Sequence, residues 1–304
     1  MPFGKFLALF TVWAVILFLL EVISISVVSR SSQNSGLVAP KYKFNQTVVK
    51  LFGYGDFKKF KISNLKTLRT AGIEDEDKEK PIRGTVNDSK LEESLIRSKN
   101  AVFEYAYCNP WEFFFTATLD ENKVIKDRSD LNAFKKQMHN FFKYMKKKYD
   151  LPDLKYLLIP ERHKDQKNWH MHGLIHGLPV ELLHQFKIGD VMGATLAEKV
   201  KNGDVVYNWP DYYKKFGFCD LEPIKNHEAV SKYITKYVTK NMESGVTELN
   251  KNTYFHSLGL KKAPIIKKGT SLVDFDYSFE NEYCRVAWLE YSEKNEEMLK
   301  QVIV

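Results

Sequence analysis

A chain of 304 residues, 44% hydrophobic and 14% aromatic, is long enough to bury one substantial core with appendages. Its three cysteines, Cys108, Cys219 and Cys284, are odd in number and widely spaced. That excludes a disulfide framework and a Cys-x-x-Cys metal knuckle, and it suits a reducing compartment. The net charge of +8 is densest between residues 30 and 100, with 15 basic and 9 acidic side chains, which fits contact with a polyanion.

The N-terminal stretch is hydrophobic. From Phe6 to Val28 the one charge is Glu21, and about twenty such residues span a bilayer as a helix. Residues 1–29 therefore read as a transmembrane helix. Lys5 precedes it, and Arg30, Lys41, Lys43 and Lys50 follow, so the positive-inside rule places the bulk of the chain in the cytoplasm, anchored to the inner face of the membrane by residues 6–28. A cleaved signal peptide and a misassigned start, with Val27, Val28 or Leu37 as the true beginning, are the competing explanations.

Residues 30–90 read as a tether of low order. Ser31 to Gly36 is flexible in composition, and Glu74 to Lys80 is a solvated charge run closed by Pro81. Tyr42 to Ile62 alternates enough for a strand or two. Asp88 or Ser89 caps a helix through Leu91, Leu95, Val102 and Tyr105. Trp111 to Leu119 is a strand, turned by Asp120-Glu121-Asn122. Ser129 caps a helix that buries Leu131, Phe134, Met138, Phe141 and Met145. Lys146, Lys147 and Lys148 end it, where the helix dipole favours cations; such a run is more often a solvated cap than a nucleic-acid contact.

Two stretches carry candidate chemistry. Tyr156 to Glu161 is an apolar strand ending in a carboxylate, and Trp169 to Ile175 contains His170-Met171-His172. Side chains two apart on a strand share a face, so the histidines lie side by side while Met171 points inward. A turn over Arg162 to Asn168 brings Glu161 back beside them. Two imidazoles and a carboxylate suit Mg²⁺ or Mn²⁺ acting as a Lewis acid, or a transition metal. An isolated His-x-His is more often a pair of surface or packed histidines. His163 is a reserve ligand, while His176 and His256 read as structural.

A helix is expected from about Val180 to Phe186, an aromatic-containing insertion over 189–215, and a strand from Phe216 to Pro223. The next helix begins near Glu228. Val230, Ile234 and Val238 form its apolar stripe; Tyr233 and Tyr237 stack along one edge, with Lys236 and Lys240 each three residues beyond a tyrosine. A phenol needs a nearby cation and a polarised phosphate to act as a nucleophile. Tyrosines at this spacing are also common core residues. Tyr254 to Leu258 is a fifth strand, and residues 261–304 are a C-terminal extension with a strand near Val286 to Leu289.

Taken together, Phe114-Phe115-Thr116-Ala117-Thr118, His170-Met171-His172 and the paired Tyr-x-x-Lys of Tyr233 to Lys240 resemble, in order, the three motifs of the HUH endonuclease superfamily. They look most like its rolling-circle replication initiators. Asn109-Pro110-Trp111 and Pro160-Glu161-Arg162-His163 are similar to the filamentous-phage and plasmid branch. The resemblance covers about 100 to 260.

It implies an α+β fold, with helices on a central antiparallel five-stranded sheet that carries the His pair in its middle, in a domain spanning 91–260. It also implies metal ligation by Glu161, His170 and His172. The resemblance implies a 5′-phosphotyrosine intermediate; because Tyr233 leads the first Tyr-x-x-Lys unit with Lys236 one turn beyond to assist, Tyr233 is expected to make the first cut and Tyr237 to act in termination. The expected partners are single-stranded or supercoiled origin DNA, with host helicase and polymerase. An HUH transposase or relaxase, and a non-catalytic membrane-tethered nucleic-acid-binding protein, are the other readings; paired tyrosines favour the initiator.

Overall fold

The computed structural model describes residues 43–67, 88–163, 167–243, 254–281 and 284–303. Among them no helix is long and apolar enough to cross a membrane. The hydrophobic stretch at 6–28 lies outside the described residues, as does the charge run at 74–80.

The chain opens with a long hairpin, β1 (Lys43–Tyr54) and β2 (Phe57–Thr67). Gly53 and Gly55 both have positive φ at its tip, and a Cβ on Gly53 would meet the Phe57 carbonyl oxygen at 1.8 Å. Only glycine accepts that turn. This corrects the expectation of low order over 30–90: residues 43–67 are a structural element.

Helix α1 (Asp88–Tyr107) follows, then β3 (Phe113–Ala117) and helix α2 (Leu131–Tyr149). The α2 cap is Asp130 rather than Ser129; its carboxylate accepts from the Ala133 N–H at 2.9 Å. Phe134, Met138, Phe141 and Met145 are buried as their spacing requires. Strands β4 (Lys155–Arg162) and β5 (Trp169–His176) form the next hairpin.

The helix expected over 180–186 is not formed. A single 3₁₀ turn at Val180–Leu182 gives way to extended Leu183 and to β6 (His184–Gln185), which pairs with β7 (Tyr207–Asn208). Between them lies α3 (Ala194–Lys201), and α4 (Pro210–Lys215) follows β7. Nor is 189–215 a peripheral insertion throughout. Trp209 and Tyr212 are fully buried and pack edge-on to Phe115 and Phe141, so they plug one face of the sheet.

Strand β8 (Cys219–Pro223), helix α5 (His227–Glu243) and β9 (Phe255–His256) complete this part. The C-terminal residues form β10 (Ile265–Ser271), β11 (Phe279–Glu280), β12 (Cys284–Glu290), a short helix α6 (Glu293–Met298), a 3₁₀ turn and β13 (Val302–Ile303).

Two antiparallel sheets result. One has the order β6-β7-β8-β3-β5-β4-β9, the other β11-β12-β2-β1-β10-β13. All five expected core strands are present in the first, with β5 central among them; β6 and β7 extend it to seven. The expectation of one five-stranded sheet is thus too small by two short strands and one whole second sheet, because the N-terminal hairpin and the C-terminal strands pair with each other.

The seven-stranded sheet is covered on both faces. Phe115, Leu158, Met171 and Ile175 pack against α2. Leu157, Ile159 and Leu174 pack against α1 and α5 through Val102, Ala106, Ile234 and Val238. Burying a side chain such as Ile234 contributes about 1.5–3 kcal/mol. Helix α1 in turn meets the second sheet around Tyr107, where Phe52, Phe57 and Trp288 gather.

Candidate active site

Register decides which side chains meet. In the β4–β5 ladder Glu161 lies opposite His170 and Ile159 opposite His172. Across the other edge of β5, His172 lies opposite Thr116, and Thr116 lies opposite Asp220. Directly opposed residues share a face. Glu161, His170, His172, Thr116 and Asp220 therefore form one polar patch on the face that α1 and α5 cover. Gly173 fixes the spacing. A Cβ there would lie 2.4 Å from Leu158 Cδ2 and 2.5 Å from the Leu157 carbonyl oxygen, so β4 and β5 pack closely because this residue has no side chain.

Of the three expected ligands, the structure brings two into direct contact: His172 Nε2 and Glu161 Oε2 are 2.6 Å apart. His170 sits on the same face, but its ring stacks on His163, centroids 4.7 Å apart and planes within 10°. Among the described residues no three His, Cys, Asp or Glu side chains converge as a metal cage. The donor set is mixed: the two imidazoles would suit a transition metal, and the carboxylate would suit Mn²⁺ or Mg²⁺. His172 Nδ1 is buried and has no hydrogen-bond partner among the described residues.

Helix α5 lays its tyrosines over this patch. The ring of Tyr237 stacks on His172 with centroids 3.9 Å apart and planes at 17°. Its hydroxyl donates to the Tyr233 hydroxyl at 2.7 Å. Phe114, two residues before Thr116, tilts against both tyrosines and His172.

The two phenols differ in access: Tyr237 is 5% exposed and Tyr233 is 50% exposed. Burial pushes the Tyr237 phenol well above the ordinary tyrosine range. The hydrogen bond it donates to Tyr233, and the charges of Glu161 and Asp220, push the same way. Within the pair, Tyr237 is thus the donor and the Tyr233 oxygen the acceptor. Lys236 is exposed one turn from Tyr233; the Lys240 side chain lies outside the described residues.

Asp220 is the residue that sequence reasoning missed. Burial, reinforced by the charge of Glu222, raises its carboxyl to about 7; Thr116 and Lys199 oppose the rise. Alternation along 216–223 puts Asp220 on the opposite face from Cys219, but only the strand order β8-β3-β5 puts that face beside His172. His176 lies 3.5 Å from Glu112, and His256 packs on Tyr105 and bonds to the Ser257 carbonyl; both are away from the patch.

One short span, from β3 to the end of α5, thus holds the motif-one threonine, the Glu–His pair and both tyrosines. Residues 112–242 match the family model of the replication-associated protein ORF2/G2P. The match takes in every residue of the patch and stops short of the β1–β2 hairpin and of β10 to β13. No curated protein and no solved structure matches the chain. The match to the replication-associated family supports a role in replication initiation.

Proposed function

We propose that the chain nicks and rejoins DNA through a tyrosine nucleophile to start rolling-circle replication of a plasmid or phage. The observation that carries this reading is the placement of two hydrogen-bonded tyrosines directly over the Glu161–His172 pair. Glu161, His170 and His172 would hold Mg²⁺ or Mn²⁺. The ion would polarise a scissile phosphate as a Lewis acid.

The chain's own groups supply the rest. Tyr233, the accessible phenol, attacks phosphorus and displaces the 3′ oxygen, leaving a 5′-phosphotyrosine and a 3′-OH that primes synthesis. Its oxygen already accepts a hydrogen bond from Tyr237, which stabilises negative charge there. Lys236 assists from the exposed side. Tyr237 serves the second, terminating transfer. The substrate is origin DNA, single-stranded or locally melted, with host helicase and polymerase acting on the product. The hydrophobic stretch at 6–28 would hold this domain at the inner face of the membrane.

The test uses the full chain, Mg²⁺ and single-stranded oligonucleotides tiled across the DNA flanking the gene, with mass spectrometry of the cross-linked peptide. The expected first adduct is on Tyr233, absent in EDTA and in Tyr233→Phe. An adduct that survives Tyr233→Phe/Tyr237→Phe removes α5 from the chemistry, and nicking undiminished in EDTA removes the metal.

A further inference from the structure

The face of the seven-stranded sheet opposite the tyrosines is covered by α2, and the outer side of that helix is unusual in charge. Its 19 residues include Lys135, Lys136, Lys143, Lys146, Lys147 and Lys148, and not one carboxylate. The acids lie at its ends: Asp130 is its N-cap, and Asp211 takes Lys148 at 2.8 Å. Lys146 donates to the Pro152 carbonyl.

Lys136, Lys143 and Lys147 are exposed and make no ion pair among the described residues. Steps of seven and four residues put them on one stripe, with Asn140 between. At 1.5 Å rise per residue the stripe runs roughly 16 Å, on the scale of a few successive phosphates. A cleft of about 340 Å³ opens at its N-terminal end. Its walls hold Asn132, Lys135, Lys136, His139 and Asn140, and it closes on Phe255, over whose ring Lys135 lies at 5.8 Å. Among the described residues no carboxylate lines it. The site-bearing face differs in carrying carboxylates, Glu161 on β4 and Asp220 and Glu222 on β8, with Glu222 paired to Lys199 at 2.8 Å.

We propose that this stripe and cleft bind the phosphate backbone of duplex DNA, beside the origin, while the opposite face works on a single strand. That the partner is DNA rests on the function proposed above. Duplex is favoured over single strand because the surface is a straight, convex row of point charges. A single-strand groove would interleave aromatic platforms along its length; the stripe has one exposed ring, Tyr144, and the rings of Tyr156, which is buried, and Phe255 line the cleft at one end alone. Contacts of this kind position the protein without reading sequence.

The experiment compares the full chain with Lys136→Gln/Lys143→Gln/Lys147→Gln, binding a labelled 25-base-pair duplex by fluorescence anisotropy over a range of salt concentrations. A second variant, Lys294→Gln/Lys300→Gln, removes two positive charges from the second sheet's flank. A third, with Arg at the three α2 positions, keeps the charge. Each phosphate contact contributes a slope of about −0.9 in log affinity against log salt, so the Gln triple should flatten the slope by roughly 2.7. At low salt its affinity should fall at least tenfold. The Arg triple should match the parent, and the Lys294/Lys300 variant should change little.

A Gln triple with parental slope and affinity overturns the proposal. So does one that loses single-strand oligonucleotide binding by the same factor, since that would make the stripe a single-strand track. Nicking of a short single-stranded oligonucleotide is read in parallel: it should be unchanged in the Gln triple. Absence of nicking in the parent itself would count against the proposed function while leaving the duplex titration readable.

Discussion

The seven-stranded sheet has no strand longer than eight residues and gives part of one face to Glu161, His170, His172, Thr116 and Asp220. The six-stranded sheet contains strands of eleven and twelve residues, and its inner faces are lined by Val49, Phe52, Phe60 and Ile62. The contrast is physical. A row of polar groups on a covered face removes apolar contacts and adds desolvation cost, so the sheet that carries it needs support from outside. The second sheet supplies that support. It packs on α1 through Phe52 and Trp288. It also reaches the start of the tyrosine helix directly: Tyr54 Oη lies 3.3 Å from His227 Nδ1, and Lys59 pairs with Glu228 at 3.0 Å. The candidate site and the contacts that brace its helix thereby lie on different sheets.

The largest test of that division is Phe60→Ala. Phe60 is buried in the second sheet among Val49, Ile62 and Ala287, and truncation should destabilise the protein by about 3–5 kcal/mol. Hydrogen exchange checks the coupling. Protection should fall in β1–β2 and in α5 together; a fall confined to β1–β2 would break the comparison.

A smaller effect is expected on the other side, from Asp220→Asn. The folded-state carboxyl is raised to about 7 by burial, above its ordinary value. Its contribution to stability is therefore complete below the unfolded-state pKa and is lost as pH rises through about 7. The Asn variant, shape-conserving and uncharged, should melt level with the parent near pH 4 and above it near pH 8, in EDTA. An equal difference at both pH values would mean that Asp220 is not held in this environment.

The smallest effect belongs to Lys59→Ala, which removes pairs to Glu228 and Glu290 at 3.0 and 3.1 Å. These groups are partly exposed, so the loss should be about 1 kcal/mol or less. It should vanish near 1 M salt, where screening acts over about 3 Å. A loss that persists at high salt would point to packing of the lysine stem instead.

What the sequence revealed follows the range of the signals. Period-two and period-four patterns are local, and they located β3, β4, β5, β8 and α5, together with the shared face of His170 and His172. The second sheet was hidden because its partners are remote: Val48 pairs with Lys268, and Ile62 pairs with Ala287. Residues 43–67 looked weak as an isolated segment because half of what completes them lies beyond residue 260. Asp220 was hidden for the same reason; alternation gave its face, but only strand order gave its neighbours. At 180–186, helical spacing was overridden by pairing of β6 with β7. The relative access of Tyr233 and Tyr237 also lay beyond periodicity, since it depends on how deeply α5 seats on His172.

The hairpin's remote pairing also bears on the order of events during synthesis. β1 and β2 leave the ribosome roughly two hundred residues before β10, the first of the strands that flank them. At about 5–20 residues per second, the hairpin waits on the order of 10–40 s with both edges open. Exposed strand edges recruit other strands. The nascent chain therefore has a window in which Glu161, His172 and both tyrosines are already made while the sheet that steadies α5 is still incomplete. Lys58, Lys59 and Lys61 on β2 place charge on that strand during the interval.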